Sequence, residues 1–181
     1  MKQLDQHKKN KYLRRALLGA LVFFVAMVQN VPWLPVVFGA QAFPLVPLVV
    51  AIAFFDQPVS AVLYGAIAGV LWDAMSPVGG YHGFYLTIVA FACAIGMRYF
   101  FNRNFVTITI TSLSAVGLYL LARWFIGFAT MGFPSAEIIY PLWRYMLPSF
   151  GYTMLFTPLC FLLVGAIIKR TAKRQQKVIA E

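Results

Sequence analysis

The chain is a succession of apolar runs, most of them near the length of a bilayer crossing, separated by short stretches where Pro, Gly, amide and charged residues collect. About 20 apolar residues in a helix cross the roughly 30 Å hydrocarbon layer. Inside that layer every backbone N–H and C=O must find its partner within the protein, which favours helix even where β-branched residues crowd together, as in Thr107-Ile108-Thr109-Ile110-Thr111. Hydrophobic residues make up 61% of the sequence and its mean hydropathy is +0.78, against about 45 to 50% apolar content in soluble domains. The expected fold is all-α, a polytopic membrane bundle. The 181 residues allow five or six crossings and leave no room for a soluble catalytic domain.

A net charge of +10 raises the question of nucleic acid, but no stacking platform or nucleic-acid motif accompanies it. The charge instead marks topology. Thirteen of the 15 basic residues fall in three clusters: Lys2, Lys8, Lys9, Lys11, Arg14 and Arg15 before the first apolar run; Arg98 and Arg103 around one loop; and Lys169, Arg170, Lys173, Arg174 and Lys177 in the tail. The positive-inside rule puts all three clusters in the cytoplasm, so both termini lie inside and the number of crossings is even. Three segments are expected: a basic cytoplasmic stretch over 1–14, a six-helix transmembrane domain over 15–168 and a basic tail over 169–181. Ala40-Gln41-Ala42 imitates a signal cleavage site, but it lies past Pro32 and Pro35, far beyond the apolar run, so the first helix is expected to remain as an anchor.

The first span is expected from about Arg15 to Val31, and a short second one from Phe43 to Phe55. Residues 36 to 47 should then lie against protein, because irregular backbone at membrane depth needs cover. A third span runs from Pro58 to Ser76, with Asp56 as its N-cap and Pro77 helping to stop it. The fourth covers Gly83 to Phe100 and the fifth Phe105 to Phe125. Residues 127 to 146, punctuated by Pro134 and Pro141, read as an interfacial loop with a helical turn at 135 to 140. The last span, Pro148 to Ile168, contains Pro158. The outer loops of this plan hold one basic residue, Arg144.

On the third helix Ala61, Gly65, Gly69 and Asp73 recur every four residues, a stripe on which another backbone can approach closely. Two uses fit it, packing within the bundle or docking of a partner's helix. A carboxylate at bilayer depth costs about 2.5 to 3.5 kcal/mol on insertion scales, so Asp73 needs a partner or a wet setting. It can pair with Arg123 on the fifth span, or cap the amides of the following turn from Met75 to Val78. The turn Pro77-Val78-Gly79-Gly80-Tyr81-His82-Gly83 has glycines where φ > 0 is tolerated and reads as a tight reversal. His82 is expected to be a lone exposed imidazole; Arg144 reads either as a residue of the outer interfacial belt or as one that pairs with Glu137 or contacts a partner on the outer side.

Cys93 and Cys160 sit inside apolar runs as small hydrophobes, so no disulfide, metal site or cofactor is expected. Paired carboxylates, His pairs and recognisable Ser/His or Ser/Lys spacings do not occur in the membrane region, and a non-enzymatic protein is expected. An intramembrane enzyme would need a second polar group within hydrogen-bond reach of Asp73.

The run Pro47-Leu48-Val49-Val50-Ala51-Ile52-Ala53-Phe54-Phe55-Asp56-Gln57-Pro58, followed by Gly65-x-x-x-Gly69-x-x-x-Asp73 and Ser76-Pro77-Val78-Gly79-Gly80-Tyr81-His82, resembles the rod-shape-determining MreD family over roughly residues 44 to 103. The resemblance implies a multi-pass scaffold in the bacterial inner membrane. Its partners would be the bitopic protein MreC and, through it, MreB filaments and the glycosyltransferase and transpeptidase of lateral peptidoglycan synthesis. On this resemblance Gly65, Gly69, Asp73, Pro77 and Gly79, with Asp56 and Pro58, are scaffold or partner-contact residues. MreD-like proteins are also similar in plan to the S components of energy-coupling-factor vitamin transporters, and Ala16-x-x-x-Ala20 is similar to their small-residue motif. The rival reading is thus a vitamin-binding subunit with Trp72, Asp73, Tyr81, Arg123 and Trp124 around its ligand.

Overall fold

The computed structural model describes residues 2–30, 40–76, 80–99, 104–131, 140 and 142–180. They form six α-helices, α1 (Lys2–Asn30), α2 (Leu45–Phe55), α3 (Pro58–Met75), α4 (His82–Tyr99), α5 (Phe105–Met131) and α6 (Leu147–Ala180), with a π-helical turn at Leu142–Met146 leading into α6. Among the described residues there is no strand, and the β-branched run from Thr107 to Thr111 is helical. Thr109 and Thr111 each turn a hydroxyl back to the carbonyl four residues earlier, so their polar atoms are met within the helix.

Among the described residues four stretches are long and apolar enough to cross a membrane: Asn10–Asn30, Pro58–Met75, Phe105–Ile126 and Trp143–Thr171. α4 has 18 residues but carries His82 at one end and Arg98 at the other, which lowers its mean hydropathy. α2 is different in kind. Its 11 residues rise only about 16 Å, and all of them from Leu45 to Phe54 are buried. It stands at the centre of the bundle with α1, α3, α4, α5 and α6 packed around it.

Central placement creates a polar problem at both ends of α2, and the neighbouring helices solve it. Where the chain enters, the amides of Gln41, Phe43 and Leu45 donate to Ser149 Oγ (3.1 Å), Thr153 Oγ1 (3.0 Å) and Gln29 Oε1 (3.0 Å). The expectation that residues 36 to 47 lie against protein is met over Ala40 and Ala42 to Pro47, all buried; 31 to 39 lie outside the described residues. At the other end Asp56 caps α2 and its carboxylate takes Arg14 Nη2 at 2.8 Å.

Several expected boundaries shift. α1 continues through the basic segment to Lys2, and α6 through the basic tail to Ala180, because straight-chain Lys, Arg and Gln sustain helix once outside the hydrocarbon. α5 runs to Met131, five residues into the expected loop. The helical turn expected at 135 to 140 falls almost wholly outside the described residues. Gln57, not Asp56, occupies the N-cap position of α3, with Pro58 at the first helical position as expected. Asp56 is turned instead toward Arg14, a stronger partner for a carboxylate than one amide.

Candidate functional site

The stripe on α3 faces α4 along the whole hairpin. Ala61, Gly65 and Gly69 are buried. A methyl placed on Gly65 would stand 2.6 Å from Ala90 Cβ and 2.8 Å from the Leu86 carbonyl oxygen; one on Gly69 would run into the backbone of His82 and Gly83. The two helices therefore meet backbone to backbone, a separation that only small residues permit.

That closeness places Asp73, one turn beyond Gly69, against the first turn of α4. Its Oδ2 accepts the Gly83 amide at 2.8 Å, and its Oδ1 accepts the His82 amide at 3.2 Å and lies 2.6 Å from His82 Nδ1. The initial amides of a helix have no intrahelical acceptor and carry the positive end of its dipole, so a carboxylate there is favoured on both counts. Neither sequence expectation for Asp73 describes this arrangement. The described ion pairs put Asp73 with His82, not Arg123, and the capped amides belong to α4, not to the turn from Met75 to Val78.

His82 is likewise not a lone exposed group. Its side chain is 12% exposed, its Nε2 stands 3.0 Å from the Tyr119 hydroxyl of α5, and its ring stacks on Trp72 at 4.2 Å between centroids and on Tyr81 at 5.6 Å. Trp72 continues the stack to Phe43, whose ring also meets Tyr119 edge-on. Gly80 serves this cluster through its missing side chain. A methyl there would come within 2.6 Å of His82 Nδ1, and its backbone is not left-handed, contrary to the expected role of positive φ. Pro77 and Gly79 lie outside the described residues.

Arg123 joins from above. Its guanidinium lies 5.8 Å over the Phe43 ring and opens onto a cavity of about 280 Å³ lined by Gln41, Phe43, Leu120, Tyr145, Met146 and Ser149. Burial pushes the Tyr81 phenol above its ordinary value, with the Arg123 charge working the other way. Arg144 is exposed on the π-helical turn, away from this cluster's hydrogen bonds.

His82 is thus the second polar group beside Asp73 that acid–base chemistry would need. Yet both ring nitrogens are engaged, and the phenol at the far end of the chain, Tyr119, is fully buried. The Asp73 side chain is 26% exposed and that of His82 12%, so the carboxylate is the more accessible end of the chain of groups. Among the described residues no three His, Cys, Asp or Glu side chains converge as metal ligands.

Tyr119, Gln29 and the Arg14–Asp56 pair escaped the sequence reading, which shows Ser149 before Phe150-Gly151 only as a hydroxyl without an identifiable base. Gln29 and Arg14 were visible as polar residues flanking the first apolar run, whereas Tyr119 carries no local signal. No family model, no curated protein and no solved structure matches this chain. What the fold defines is an all-helical protein with helices suited to a membrane.

Proposed function

We propose that the chain is a non-enzymatic scaffold subunit of the MreD type in the bacterial inner membrane. It crosses six times with both termini in the cytoplasm, α2 completing its short crossing with the covered segment before it. It holds a bitopic, MreC-like protein and so helps couple MreB filaments to the glycosyltransferase and transpeptidase of lateral wall synthesis. The clustered basic residues support this sidedness.

One observation supports a docking role more than any other. The α3 stripe is consumed by α4, but a second small-residue surface remains in the groove between α4 and α5. It encloses about 370 Å³ and is lined by the small residues Ala92, Cys93, Thr107, Thr111, Ser114 and Ala115 with Val89, Ile110 and Leu118 at their side. In lipid, helices associate through close packing, and small residues let a single transmembrane helix approach the floor of such a groove. We therefore move the proposed docking face from Gly65 and Gly69 to this groove.

The rival vitamin-binding reading has one observation in its favour, the cavity at Arg123. Against it, Trp72 and Asp73 are turned onto His82 and do not line that cavity. Purification from native membranes in mild detergent followed by mass spectrometry separates the two. Recovery of an MreC-like bitopic protein with wall synthases supports the scaffold. Recovery of a coupling subunit with paired ATPases would replace it with the transporter. A photo-crosslinking residue at Ala92 or Ser114 should capture the partner, and one at Val59, exposed on α3, should not.

A further inference from the structure

The cavity at the Arg123 end has a composition that neither packing nor the proposed docking role requires. Its floor and walls are Phe43, Leu120 and Met146; its polar groups are the Arg123 guanidinium, the Gln41 amide, the Tyr145 hydroxyl and the Ser149 hydroxyl. Among the described residues no carboxylate pairs with Arg123, since Asp56 is held by Arg14 and Asp73 by His82. A guanidinium has five N–H donors in a fixed fork. Ser149 is buried, and its oxygen accepts the Gln41 amide at 3.1 Å while still carrying its own O–H.

Arg123 rests 5.8 Å over the Phe43 ring, and that ring is itself packed against Trp72 and Tyr119, so the guanidinium stands at the mouth of the cavity on an aromatic bed.

We propose that this cavity binds a singly charged oxyanion, a phosphodiester or carboxylate, held by the Arg123 fork with Ser149 and Gln41 as neutral donors. One guanidinium balances one negative charge, and fork geometry matches two oxygens of such a group. The volume of about 280 Å³ suits a compact headgroup or small acid. The source is either a membrane lipid or a soluble anion. The site is independent of whether the chain is a scaffold, because it uses neither the α4–α5 groove nor a partner protein.

The test is native mass spectrometry on the full-length protein in detergent, titrated separately with dioleoylphosphatidylglycerol and with inorganic phosphate, chloride at equal ionic strength serving as reference. At least one anion should add a single saturable equivalent. Saturation by the lipid alone identifies a headgroup site, and saturation by phosphate identifies a soluble-anion site. In Arg123→Gln the affinity should fall at least about tenfold, the loss of a charge-assisted pair of bonds, and Ser149→Ala should weaken it less. Arg98→Gln, at the opposite end of the bundle, is the control for general attraction of anions to a basic protein. Wild-type binding with no saturable equivalent of either anion overturns the proposal, as does equal loss in Arg98→Gln and Arg123→Gln. Arg123→Lys, which keeps the charge and lowers the risk of misfolding, should retain part of the binding; retention equal to wild type would remove the fork from the proposal.

Discussion

His82 Nε2 stands 3.0 Å from the Tyr119 hydroxyl, so an imidazole on the α3–α4 hairpin is tied to a phenol on α5. With Nδ1 facing the Asp73 carboxylate at 2.6 Å, this joins three helices through one ring. The link matters because α4 and α5 otherwise part to form the groove assigned above to a partner helix.

Asp73→Asn should lower stability by about 1.5 to 3 kcal/mol, the range for a hydrogen bond to a charged group. Tyr119→Phe should cost less. The double variant should lose less than the sum of the two, because both act through His82, whereas Asp73→Asn with Arg14→Gln, at opposite ends of the bundle, should be additive. Thermal unfolding in detergent, read for singles and doubles together, checks this. Strict additivity of Asp73→Asn and Tyr119→Phe would break the proposed connection.

Gly69→Ala should be poorly tolerated, since its new methyl meets the Gly83 and His82 backbone and neither can yield as a side chain tip could. Gly65→Ala should be nearly as costly, since its new methyl meets the Leu86 carbonyl oxygen at 2.8 Å and the Ala90 methyl, which is fixed to its own backbone, at 2.6 Å. Gly19→Ala and Gly151→Ala place a methyl in open space and should be neutral within about 0.5 kcal/mol. Folded yield by fluorescence-detected gel filtration should rank them in that order. A Gly69→Leu protein of normal yield would show that the hairpin is looser than described.

Arg14→Gln should be among the most damaging single changes, by about 3 to 5 kcal/mol, because the Asp56 side chain is completely buried and would lose the guanidinium that offsets its burial. Replacing both members, Arg14→Met with Asp56→Leu, should recover most of that loss. The measurement is thermal stability of the two proteins side by side; a double variant no better than Arg14→Gln would mean that Asp56 matters mainly as the acceptor for Gln57 N.

Gln29→Leu should cost about 1 to 3 kcal/mol by stranding the buried Leu45 amide, and Thr153→Val should do the same to Phe43. Hydrogen exchange at residues 43 to 48 should rise in both variants while the amides of α3 stay protected. Unchanged exchange there would mean that α2 is held by packing alone.

Hydropathy by itself determined that this chain forms helices suited to a membrane and that Asp73 needs a partner, though not how far α1, α5 and α6 continue past their apolar runs. Those conclusions depend on local properties: the apolar content of a segment, the missing amide of Pro58, the small size of Gly65 and Gly69. Only the tertiary structure decided which partner Asp73 has, that Gly69 faces Gly83, and that Arg14 meets Asp56 across 42 positions of sequence. In a bilayer every helix face is apolar, so hydrophobic periodicity, which reveals the inner face of a soluble helix, has little contrast here. What Tyr119 and Ser149 do is silent in the sequence for that reason. Their roles come from the rotation of α5 and α6 about their axes, which is set by close packing around the buried α2.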